Sequence, residues 1–84
     1  MRSTFETPLP GDVVVMPITA ARGQVHYALA LWPDLERERH DSEYLSYGYA
    51  LDRARLIASR HAVEIWRMWS RGTGKHDFEN VTGG

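Results

Sequence analysis

The chain has 84 residues, of which 43% are hydrophobic and 25% are charged, and its formal net charge is −1. These values fit one globular domain and exclude an intrinsically disordered chain. The small net charge disfavours a strong polyanion binder, and the lack of cysteine excludes disulfides, thiolate zinc sites and thiol nucleophiles. We expect a cytoplasmic protein without a membrane segment, because the chain has no cysteine, no signal-peptide pattern and no apolar run near about 20 residues.

The domain organisation follows from where turn-forming and apolar residues fall. Residues 1–11 contain two prolines and a glycine, which predicts a flexible arm. Residues 12–81 are expected to form the folded α+β core, and residues 82–84 a frayed tail.

The first two strands are predicted to form a hairpin. A β-branched run indicates a strand over residues 12–18, and Pro17 places that strand at a sheet edge or ends it. Alternation of side chains indicates a second strand over residues 25–32. The six residues 19–24 are too few for a crossover connection, so the two strands should pair antiparallel.

A polar segment separates this hairpin from a helix. Residues 34–45 alternate in charge, which is typical of a solvated loop with at most one helical turn; an exposed binding loop is the alternative. Ser46 is the expected N-cap of a helix that ends at His61. Its apolar stripe consists of Tyr47, Ala50, Leu51, Ala54, Ile57 and Ala58.

Two further strands are predicted after the helix. Residues 62–69 alternate between apolar and polar side chains, and residues 76–81 indicate a short fourth strand after a glycine-containing turn. The sequence thus predicts an α+β two-layer sandwich, in which an antiparallel sheet of three to four strands carries one helix on one face.

Three features stand out around the helix: Ala50, Ala54 and Ala58 at four-residue spacing, the pair Glu64–Ile65, and the glycines at 72 and 74. In these features the chain resembles a family of small, uncharacterised bacterial proteins known as a domain of unknown function. The resemblance implies a strand–strand–helix–strand–strand plan and no particular activity.

No motif for catalysis, a metal or a cofactor emerges. The charged loop around His40 and Asp41 makes a divalent metal conceivable, but surface histidines are the better interpretation. Gly72–Lys75 lacks the spacing of a phosphate loop and indicates a hairpin turn. Glu36 and Glu38 alternate with arginines, which is typical of a solvated strip rather than an acid–base pair. We therefore expect a protein that is not an enzyme, with no metal and no cofactor.

The aromatic residues raise a question about the second face of the sheet. If Val25, Tyr27, Leu29, Leu31, Val63 and Ile65 face the helix, alternation sends another apolar set to the opposite face. That second set consists of Val14, Met16, Ala28, Ala30, Trp32, Trp66 and Met68. One helix cannot cover both faces, so the second face is expected to expose a large apolar patch.

Three covers for that face remain open: a second copy of the chain, an intrachain segment (the N-terminal arm or residues 34–45), or a different partner. We expect association as a homodimer or accessory interaction module, with Trp32, Trp66, Met68 and Arg67 as interface residues. The alternative is a nucleic-acid-binding module that uses the third strand and the Arg71–Lys75 turn.

Overall fold

The computed structural model describes residues 7–19, 21–34, 44–70 and 76–83. Its helix and strands are, in order, β1 (Val13–Thr19), β2 (Val25–Leu31), α1 (Tyr47–His61), β3 (Ile65–Ser70) and β4 (His76–Asn80). The four strands form one sheet, and α1 packs over β1, β2 and β3. The predicted α+β plan with one helix on a sheet is therefore confirmed.

The sheet is mixed, and its strand order is β2-β1-β3-β4. The predicted β1–β2 hairpin is antiparallel, and so is the β3–β4 pair. The central pair, β1 and β3, is parallel, with Val13 opposite Ile65. The expectation of a wholly antiparallel sheet is corrected at this pair.

The parallel pair follows from where the helix begins. The Tyr47 ring, in the first turn of α1, lies 5.7 Å from the Tyr27 ring, part-way along β2 rather than at its end at Leu31. The helix then runs back toward the start of β1, where the Val13 N–H donates to the Glu64 carbonyl at 2.9 Å. Consequently the chain enters β3 at the end of the sheet where β1 begins, and the two strands run in the same direction.

The sequence predicts that Pro17 places the first strand at a sheet edge or ends it nearby. The edge position is wrong, because β1 has neighbours on both sides, and β1 ends at Thr19, two residues after Pro17. The pairing of β1 with β3 covers only Val13 to Val15, however, while Pro17 pairs with Tyr27 of β2. Because a proline donates no ladder hydrogen bond, it is tolerated at this point, where no partner from β3 is required.

Both ends of α1 are capped. The Ser46 hydroxyl accepts a hydrogen bond from the Tyr49 N–H at 3.3 Å, which confirms the predicted N-cap. At the other end, Ala62 takes a left-handed conformation with φ 56°, and its N–H donates to the Ala58 carbonyl. The predicted third strand began at Ala62, whereas β3 begins at Ile65, because this left-handed residue closes the helix first.

Each face of the sheet has its own apolar cluster. The helix-side cluster contains Val13, Val15, Leu29, Ala50, Ala54, Ile57, Ala58 and Ile65. The cluster on the opposite side, which we call the far face, contains Val14, Met16, Ala28, Ala30, Trp66 and Met68, with Ile18, Trp32 and Phe78 packed against it. The predicted separation of the two sets of side chains is confirmed, since strand residues alternate between faces.

The two outer strands are protected differently from edge-to-edge pairing. On β2, Tyr27 exchanges two backbone hydrogen bonds with Tyr44, at 2.8 and 2.7 Å, so part of its outer edge is occupied. The other outer strand, β4, has five residues and presents the exposed acids Asp77 and Glu79. Short length and charge both discourage another strand from adding to a sheet.

In the ranges that the structure describes, no helix combines the length and the apolar character needed to cross a membrane.

Candidate interaction surfaces

The four predicted interface residues do not share one surface. Trp32, Trp66 and Met68 lie together on the far face. Arg67 is adjacent in β3 and points to the helix side, where its guanidinium reaches the ring of Tyr47. The structure thus brings three of the predicted residues together and separates the fourth.

The far face is also less exposed than expected. Trp66 and Met68 are 4% and 7% exposed, and Val14 is fully buried. The border of the cluster is half-buried, and there the rings of Trp32 and Phe78 meet edge to face with centroids 5.2 Å apart. The expected large apolar patch is therefore wrong for the described residues. The suggested intrachain covers, residues 1–11 and 34–45, lie largely outside the described ranges.

Sequence reasoning missed the role of Asp12. Its buried carboxylate accepts three hydrogen bonds, from the backbone N–H groups of Leu9 at 2.9 Å and Glu64 at 3.2 Å, and from Trp66 Nε1 at 2.9 Å. The Asp12 carbonyl accepts from the Trp32 N–H at 2.9 Å. A buried tryptophan needs an acceptor for its indole N–H, and that requirement was the available signal. Asp12 thereby anchors the described part of the N-terminal arm to the sheet.

Arg67 is held between two aromatic rings. Its guanidinium carbon lies 4.0 Å from the centroid of the Tyr47 ring and 3.9 Å from that of Trp69. Trp69 Nε1 donates in turn to Glu79 at 3.4 Å. Burial raises the pKa of the Tyr47 phenol, and the nearby positive charge of Arg67 opposes that rise. The arrangement fixes the start of α1 on β3 through stacking with a cation.

The most exposed large apolar side chains near the helix point away from the core. Leu45, Tyr49 and Leu56 are 73%, 69% and 55% exposed. Tyr49 and Leu56 are seven residues apart, about two helical turns, and so share a face with the exposed Arg53 and Arg60. We call Tyr49, Arg53, Leu56 and Arg60 the outer face of α1. The predicted apolar stripe does not include this face, although the seven-residue spacing of Tyr49 and Leu56 indicates it from the sequence.

A second exposed area lies on the helix side of the sheet, toward β4. By strand register Glu79 is opposite Arg67, and Asp77 is opposite Trp69, so these side chains share the helix-side face. Trp69 is 44% exposed, and both acids are exposed. We call Trp69, Asp77 and Glu79 the shelf.

A shallow groove separates α1 from the strands beside it. Its lining residues are Arg55, Ala58, Ser59, Ala62, Val63, Ile65 and Thr82. Apart from Arg55, the side chains on its helical wall are small and leave open space between the helix and the neighbouring strand ends.

A metal site and a phosphate loop are two kinds of site considered from the sequence. Within the described ranges, no group of three or more His, Asp or Glu residues could hold a metal ion. The sequence positions considered for a metal, around His40, and for a phosphate loop, at Gly72–Lys75, lie outside those ranges.

No family model matches this chain, and neither the curated proteins nor the solved structures compared with it give a match. The resemblance to a family of unknown function stays a prediction.

Proposed function

We propose that the protein acts by association with another protein chain, as a homodimer or an accessory interaction module, and that it catalyses no reaction. The observation that carries this proposal is the outer face of α1, where Tyr49 and Leu56 expose apolar surface opposite the buried stripe. Single exposed apolar residues are ordinary on a protein surface. Two large ones on one helical face, with Leu45 just before the helix, indicate a contact surface.

Both edges of the sheet are protected from pairing with a strand of another chain, which favours a contact through a face of the protein. Tyr44 occupies part of the β2 edge, and the acids of β4 discourage strand addition at the other edge. A partner is therefore expected to meet the helix layer, or the half-buried border of the far face at Trp32, rather than extend the sheet. The lack of cysteine favours the reducing cytoplasm as the place of action.

Light scattering coupled to gel filtration, over a range of concentrations, tests self-association. We expect a mass near twice the 9.6 kDa of one chain, which the double substitution Tyr49→Ser/Leu56→Ser lowers toward 9.6 kDa. Val25→Ser is the matched control, since Val25 is 48% exposed on β2. A mass of 9.6 kDa at every concentration would reject the homodimer.

The predicted interface residues need a separate variant. If Trp32→Ser separates the copies while the double substitution on α1 leaves them associated, the contact lies at the border of the far face. Trp66 and Met68 are unsuitable for this purpose, because both are buried and their replacement would disturb folding.

Nucleic-acid binding is the second candidate function. It is favoured by the exposed Trp69 beside Arg67 at the end of β3, close in sequence to the basic turn Arg71–Lys75. The acids of the shelf oppose it, since they repel phosphates. Binding to single-stranded or duplex oligonucleotides should then be measurable at low salt and fall steeply as salt rises. No binding at low salt would remove this candidate.

A further inference from the structure

We infer that a second copy of this chain covers the shelf, so that two α1 helices lie side by side between two sheets. The inference rests on the proposed self-association and specifies its geometry. Each protomer would place the outer face of its helix on the shelf of the other protomer.

The helix does not cover the full width of the sheet. Neighbouring strands lie about 4.8 Å apart, and a helix with its side chains is about 10 Å across, so one helix covers about two strands. The sheet has four strands, and α1 packs mainly over β1 and β2 and touches only the near side of β3. The remaining strip, along β4 and the outer side of β3, is about one helix wide.

The groove beside α1 favours a second helix in the same layer. Arg55, Ala58 and Ser59 form its helical wall together with Ala62 just after α1, and Ile65 and Thr82 lie across from them. All of the wall residues except Arg55 are small. Small side chains permit a close approach between neighbouring helices, which pack with their axes 8–10 Å apart. The groove therefore has the form that a neighbouring helix in the same layer requires.

The outer face and the shelf carry opposite charges. The outer face has Arg53 and Arg60 and no acid, whereas the shelf has two acids beside Arg67. Arg55 lies on the groove flank, where it pairs with Asp52 of its own helix at 3.5 Å. Two outer faces would repel each other if they met directly. An outer face on a shelf brings Arg53 toward acidic side chains and Tyr49 toward the exposed Trp69, and this complementarity selects the shelf of a second copy as the partner surface.

Symmetry allows the arrangement to close. A two-fold axis parallel to α1, in the helix layer, turns each outer face toward the other protomer's shelf and makes both contacts at once. The contacts are then equivalent, and the assembly ends at a dimer instead of growing into a filament.

Charge reversal tests the complementarity. Arg53→Glu and Asp77→Lys/Glu79→Lys should each weaken dimerisation about tenfold or more. A one-to-one mixture of the two variants should restore a dimer, because each reversed outer face then meets a reversed shelf. Arg22→Glu, at the exposed β1–β2 connection, is the matched control, and circular dichroism checks that all variants are folded.

A cysteine pair tests the side-by-side helices. The chain has no cysteine of its own, so an introduced thiol can form a disulfide only with its copy. Ser59 lines the groove, and Arg60 lies on the opposite flank with Arg53. In the proposed dimer the same residues of the two helices face each other across the axis, so Ser59→Cys should form covalent dimers about tenfold faster than Arg60→Cys under mild oxidation.

The possible failures are distinguishable. A wild-type chain that stays monomeric rejects both the homodimer and this geometry. If the wild type is a dimer but both charge-reversal variants dimerise as strongly, the proposed geometry is wrong and self-association still holds. The same conclusion follows if the two cysteine variants crosslink at equal rates.

Discussion

The indole N–H of Trp66 donates a hydrogen bond of 2.9 Å to the carboxylate of Asp12, across 54 positions of sequence. The same carboxylate accepts from the backbone N–H groups of Leu9 and Glu64. A single buried acid thus connects the N-terminal arm, the start of β1 and the start of β3. Its oxygens accept the three hydrogen bonds that these donors would form with water in the unfolded chain.

Replacing Asp12 should therefore destabilise the protein strongly. We expect Asp12→Ala to lower the free energy of unfolding by about 3 kcal/mol, because several part-buried or buried donors lose their acceptor. Urea denaturation followed by tryptophan fluorescence measures the change. Asp52→Ala is the matched control, since Asp52 is exposed and forms a surface ion pair with Arg55, and it should shift the value by about 0.5 kcal/mol or less. Equal effects of the two substitutions would contradict the role of Asp12.

The stacked Arg67 gives a second prediction. Arg67→Lys keeps the charge and loses the planar group that contacts two rings, so we expect a loss of stability of about 1 kcal/mol. A double-mutant cycle with Tyr47→Leu should show a coupling energy of similar size. Additive effects would mean that the stacking contributes nothing measurable.

Tyr47 gives a prediction about alkaline pH. Burial raises the pKa of its phenol above the ordinary 10.0, while Arg67 opposes and Glu79 adds to the rise. The folded state holds this proton more tightly than the unfolded state does, so the associated stability is present below pH 10 and is lost as pH rises through the folded-state pKa. Phenolate absorbance, compared between wild type and Tyr47→Phe, isolates this group. Arg67→Met should move its titration to higher pH; an unchanged titration would exclude the Arg67 contribution.

The left-handed Ala62 offers a stabilising substitution. An alanine at φ 56° is strained by its Cβ, and a glycine is not. We expect Ala62→Gly to raise the free energy of unfolding by about 0.5–1 kcal/mol. Arg53→Gly, in the exposed middle of the same helix, should lower it by about 1 kcal/mol. Thermal and urea denaturation of both variants should give these opposite signs; a loss of stability in Ala62→Gly would show that the strain is absent.

Local patterns predicted the elements well. Ser46 and the alanines at four-residue spacing identified α1, and period-two alternation placed Val14 and Trp66 on the face away from the helix. These signals are local, since a cap or a side-chain alternation depends on a few neighbouring residues.

Long-range relationships were not predictable in the same way. The parallel pairing of β1 with β3 depends on α1 beginning beside Tyr27, which no local pattern encodes. The burial of Trp66 depends equally on a carboxylate far away in sequence. Alternation along the third strand also implies that Arg67 and Trp66 lie on opposite faces of the sheet. The predicted interface that contained both residues was inconsistent with that pattern.

The backbone exchange between Tyr27 and Tyr44 has a consequence for growth of ordered aggregates. A strand that docks on β2 to template a cross-β fibre must first displace Tyr44 from both of its hydrogen bonds. Sequence changes that loosen the chain just before α1 would therefore unmask a nucleation site, even though they lie outside every strand.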